Sequence, residues 1–203
     1  MSLQTELLER GKEKLTQMKV FLEDLEVQLA LGKAEAKDAY ERERKNFLEY
    51  VKEQKSAVKR AGKTAEEHRL TLADKFDHLE NMLAKEVPAS KRQFDRQKKD
   101  TLFAIYELEF AMKEAYGDVG LSLQNKLDRF KALLDAYRIQ LALGDFENTS
   151  ELESKKEALS KAVAEMQEKL HKEVSAGEKI DQFTDEMTVA FEHMKKGFSE
   201  LFS

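Results

Sequence analysis

Residues 121–144 read LSLQNKLDRFKALLDAYRIQLALG. Within this run Leu123, Leu127, Phe130, Leu134, Tyr137 and Leu141 recur at alternating spacings of four and three. That period keeps one apolar stripe on one side of a helix and packs it against neighbouring helices. The run stops at Gly144, and glycine is the usual residue just past a helix end. Working outward, Leu102, Ile105, Leu108, Met112, Ala115 and Val119 lead into it from upstream. Leu159, Val163, Met166, Leu170 and Val174 continue the pattern downstream, followed by Ile180, Phe183, Met187, Phe191, Met194, Phe198 and Phe202. Val51, Val58, Ala65, Leu72 and Leu79 recur every seven residues in an earlier segment. Leu8, Leu15, Met18, Leu22, Leu25 and Leu29 give the first one its stripe.

The strongest breakers between these segments are Gly32, Pro88 and Gly144. Proline cannot continue a helix, and Ser90 just beyond Pro88 is suited to cap the next one. Short links at the three breakers make the helices antiparallel neighbours. The prediction is an all-α fold: an elongated antiparallel helical bundle, or coiled coil, of three long helices plus one short N-terminal helix, about residues 3–31. A helix of roughly 54 residues would be about 80 Å long. Gly62, Gly117, Gly120 and Gly177 fall near the middle of the three long helices and predict a bend at mid-rod. Val119, Leu123 and Leu127, spaced by four twice, form a stutter at the same level.

Residues 27–32, Val-Gln-Leu-Ala-Leu-Gly, are echoed by residues 139–144, Ile-Gln-Leu-Ala-Leu-Gly. The same offset maps Leu15, Met18, Leu22 and Leu25 onto Leu127, Phe130, Leu134 and Tyr137. Two diverged helical hairpins are the expected origin, the first lacking the half before residue 3. Residues 1–203 then form a single elongated helical domain. Its four-helix half joins 3–61 with 119–176, and its three-helix half joins 63–116 with 178–202. The three-helix half is the natural place for a partner, because a fourth helix would complete it.

The 203 residues include 35 Lys and Arg against 40 Asp and Glu, a formal net charge of -5. That balance gives no general attraction to nucleic acid. Cysteine is absent, which excludes disulfide scaffolds and thiolate metal sites. One proline and 37% charged residues argue against a β-sandwich. No uninterrupted apolar run reaches membrane-spanning length, and the N-terminus lacks a signal-peptide core.

Candidate chemistry is sparse. Among His68, His78, His171 and His193, only Glu168 and His171 have the Glu-x-x-His spacing of di-iron bundles, which need two such pairs. Asp74 and His78 stand one turn apart, a spacing common by chance on charged helices. No phosphate-binding, dinucleotide or nucleophile-elbow motif is present. The expectation is therefore no catalytic residue, no metal and no cofactor. The most unusual local feature is basic. Lys91, Arg92, Arg96, Lys98 and Lys99 open a helix, where the helix dipole disfavours positive charge. With Lys85, Lys195 and Lys196 they make a basic tip that would bind an anion or an acidic partner. Glu23, Asp24, Glu26, Asp145, Glu147 and Glu151 would mark the opposite, acidic end.

Residues 27–38, Val-Gln-Leu-Ala-Leu-Gly-Lys-Ala-Glu-Ala-Lys-Asp, with their echo at 139–144, resemble uncharacterised bacterial coiled-coil proteins of unknown function, best over about residues 20–55. The resemblance implies a helical cytoplasmic protein and carries over no site. The reading is a non-catalytic helical-bundle scaffold or protein-interaction protein, acting through a protein partner or self-association, including as a homodimer. The alternative is a peripheral membrane-associated coiled-coil protein that binds anionic lipid through the basic tip.

Overall fold

A computed structural model describes residues 18–27, 29–60 and 66–143, together with 150, 153–154, 157–158, 160–161, 164–165, 168 and 189. These residues are all-helical where they are regular. The elements are α1 (18–27 with 29–30), α2 (Lys33–Arg60), α3 (Glu66–Ala84), α4 (Lys91–Tyr116) and α5 (Leu121–Leu143). The breaks at Gly32 and at Pro88 fall where the sequence places them. Ser90 caps α4 as expected: its hydroxyl oxygen accepts from the Gln93 N–H. The chain divides into two compact units, Met1–Lys33 with Asp135–Ser203, and Ala34–Leu134.

In the unit 34–134 the long-helix expectation fails. Lys55 pairs with Asp77, and Lys131 with Glu109, each across 22 residues. In an unbroken helix such pairs would stand about 33 Å apart. The chain therefore reverses between α2 and α3 and again between α4 and α5. Two of the long helices that the sequence presents, the one before Pro88 and the one after it, are helical hairpins. Gly117 and Gly120 make the second reversal. Their φ angles of 86° and 77° are left-handed, a region that costs residues with a Cβ. The Gly117 N–H closes α4 on the Lys113 carbonyl at 2.8 Å, and Asp118 Oδ1 accepts from the Gly120 N–H at 2.8 Å. Val119 is buried between them and anchors the turn. The stutter at Val119, Leu123 and Leu127 is thus the end of one helix and the start of another. Gly62 and Gly177 lie outside the described residues, as does Gly144.

Three hairpins in succession give an up-down-up-down arrangement. Tyr40 on α2 meets Phe94 on α4 edge to face, with centroids 5.6 Å apart. Phe47 on α2 stacks on Phe130 of α5 at 4.3 Å. Such pairs contribute about 0.5–1.5 kcal/mol beyond the area they bury. Around them Val51, Leu72, Phe76, Leu79, Ile105, Leu108 and Leu127 are buried. The α3–α4 link is held from both sides: Arg44 on α2 donates to the Lys85 carbonyl, and Gln97 on α4 donates to the Glu86 carbonyl at 2.9 Å.

In the other unit, Met18, Phe21, Leu22, Leu25 and Leu29 bury the inner face of α1. Residues 136–143 of α5 are buried on nearly every side, with Arg138 alone half-buried, and the stretch is correspondingly apolar apart from Arg138 and Gln140. Gln140 is the buried polar residue here. Its Nε2 donates to the Leu31 carbonyl at 3.2 Å, so the two echoed segments meet at Gln140 and Leu31.

Candidate interaction surface on α4

Helix α4 has two faces with the same period. The inner one, Phe94, Thr101, Ala104, Ile105, Leu108 and Met112, is buried in the unit. The outer one runs Arg92, Arg96, Lys99, Phe103, Tyr106, Phe110 and Lys113, spaced four and three alternately, and every member is exposed. Phe103, Tyr106 and Phe110 keep 59%, 55% and 63% of their surface in solvent. Single exposed apolar residues are ordinary, whereas a contiguous aromatic row is the kind of patch that marks a binding surface. A shallow open groove of about 410 Å³ is lined by Asp95, Lys98, Lys99, Leu102, Phe103 and Tyr106.

The described residues of the sequence-predicted basic tip are neighbours along the chain. Lys85, Lys91, Arg92, Arg96, Lys98 and Lys99 all lie on the α3–α4 link or the first turns of α4. Arg92, Arg96 and Lys99 are exposed on the outer seam, while Lys91 and Lys98 are half-buried. Lys85 Nζ contacts Met82 Sδ at 3.2 Å. Lys195 and Lys196 lie outside the described residues. No acid occupies the first turn of α4. Its cations therefore work against the helix dipole and must gain elsewhere what they cost there.

Two acids of α4 beside the seam, Glu107 and Glu109, are already engaged. Glu107 receives Lys75 at 2.7 Å and His78 at 2.9 Å, both from α3. The Lys75 hydrogen bond, aided by His78 and opposed by burial, holds the Glu107 carboxyl below the ordinary glutamate range. On the other flank, Lys131 of α5 reaches Glu109 at 2.5 Å and Asp128 at 3.2 Å. Its ammonium also sits 5.0 Å from the Tyr106 ring centroid. Burial depresses the Lys131 pKa, but the two carboxylates outweigh it and the group is held above its ordinary value. Lys131 thus sits over one face of the Tyr106 ring, while the residue keeps more than half of its surface in solvent.

The sequence reading passed over Phe103, Tyr106 and Phe110. Their signal is the seven-position seam itself, which shares its spacing with the buried one and was hidden behind it. Gly117 and Gly120 belong to the turn at the far end of α4, not to a bend within it. Asp74 and His78 share no ligand geometry, since His78 turns to Glu107. Among the described residues no group of three metal-ligating side chains occurs, and no helix is long and apolar enough to cross a membrane. No protein-family model matches the chain, and no curated protein or solved structure does so either.

Proposed function

We propose that this chain is a non-catalytic, cytoplasmic helical-bundle protein whose task is to bind another protein through the outer seam of α4. The observation that carries this is the row Phe103, Tyr106 and Phe110, each more than half exposed on a heptad-spaced line. Aromatic and arginine side chains are the groups that dominate protein interfaces, and this seam supplies both. It also lies on residues 90–116, within the segment where the sequence reading places a partner. A photo-reactive phenylalanine analogue at position 103 or 110 should give discrete protein adducts in cells, and the same group at exposed Ser56 should give none. Equal labelling at all three positions, or none at 103 and 110, would refute the reading.

A second reading has its own observation. Arg92, Arg96 and Lys99 are exposed and continuous with the aromatic row, a combination that also suits an anionic membrane surface. Co-sedimentation with anionic liposomes tests it. Binding that is salt-sensitive and lost when these three residues become Gln would favour lipid, whereas no binding at low salt removes it.

A further inference from the structure

From the outer seam of α4 we infer that its partner is a second copy of this chain, joined antiparallel, α4 on α4. This rests on reading the seam as a docking surface, and adds what docks there. The seam is divided in character along its length. Arg92, Arg96 and Lys99 occupy its first half, and Phe103, Tyr106 and Phe110 its second. Reversing a second copy about a point near Thr101 sets Arg92 against Phe110, Arg96 against Tyr106 and Lys99 against Phe103. Each pairing occurs twice, once in each direction. The register is allowed because the spacings from Arg92 to Phe110, four, three, four, three and four, read the same in either direction, so both seams stay in phase across the contact.

The electrostatics favour this direction. A cation over an aromatic face is attracted by the ring quadrupole, and a guanidinium stacks on it as well. The surface is self-complementary, as a twofold interface requires. A parallel pair would instead stack Arg92, Arg96 and Lys99 on their own copies, three layers of like charge. A lipid surface is a poorer match, because exposed Asp100 and Glu114 border the seam and would face anionic headgroups. The shallow groove at Lys99, Leu102 and Phe103 lies at the centre of the seam, where the second copy's Phe103 would enter. The cations that strain the start of α4 find their return in this contact.

The chain has no cysteine, so an introduced thiol is unique. Asp100→Cys and Lys113→Cys, each treated with a short bis-maleimide, report direction. Antiparallel pairing brings the two copies of position 100 together and keeps those of 113 apart, so only Asp100→Cys should give a covalent dimer. Equal dimer from Lys113→Cys overturns the arrangement. Sedimentation equilibrium on the full chain should show a dimer whose dissociation constant rises about tenfold or more in Arg96→Glu. Arg96 is exposed, and unchanged helical circular dichroism would exclude unfolding as the cause. A chain that stays monomeric yet forms adducts with other proteins at position 103 overturns the pairing and leaves the docking reading standing. A monomer without adducts ends both.

Discussion

Burying most of the Lys131 side chain removes water from an ammonium group, and Glu109, Asp128 and the Tyr106 ring replace that water. Removing the cation leaves two carboxylates, each only 11% exposed, with the neutral Gln124 amide as their shared donor. Lys131→Met should therefore destabilise the protein by about 1–3 kcal/mol in chemical denaturation. The loss should be smaller when Glu109 is already Gln, since one of the stranded charges is then gone. Glu107 gives a pH signature. Its folded pKa is lowered by Lys75 and His78, so its contribution is present above the unfolded value and lost as pH falls through the folded one. Glu107→Gln should be less stable than the parent chain at pH 7. The gap should close as pH falls below about 4.3. Denaturation midpoints across that range check it, and a gap that widens in acid contradicts it.

At the scale of the element, the turn between α4 and α5 depends on backbone conformation alone. A Cβ at Gly117 or Gly120 would meet nothing within 4 Å, so the cost of substitution there is the left-handed φ and no clash. Gly117→Ala should cost about 1–2 kcal/mol and Gly117→Asn distinctly less, because asparagine tolerates that region. Thermal unfolding of the two variants checks the order, and equal losses would point to packing instead. The helix ends at Gly32 and Pro88 were legible because glycine, proline and a Ser cap act locally. The reversal at Gly117–Gly120 was not. A heptad stripe such as Ile105, Leu108, Met112 on one side and Leu123, Leu127, Phe130 on the other reads alike in one long helix and in a hairpin. Only a contact across the turn, such as Lys131 with Glu109, separates the two. The cations of the α4 seam were legible as a charge run. Its aromatics were not, because Phe103 and Phe110 look like core until Ile105 and Leu108 are seen to fill the core.

At the scale of the molecule, the unit 34–134 is built from neighbours. α3 packs on α2 and α4, and α4 on α5, each across a short link. The stack of Phe47 on Phe130 is different, since it joins the first helix of the unit to its last. Local hairpins close quickly, whereas a contact between distant segments must first overcome the entropy of the loop it closes. Phe47→Leu should accordingly lower stability by about 1–2 kcal/mol, almost all of it as faster unfolding, with the folding rate little changed. Stopped-flow chevrons measure this, and slowed folding would place the stack in the nucleus instead. The same order holds during synthesis, where the N-terminal part emerges first. α2 leaves the ribosome long before α5 exists, with Phe47 uncovered in the interval. The newborn unit is therefore most exposed to misassociation until its last helix arrives.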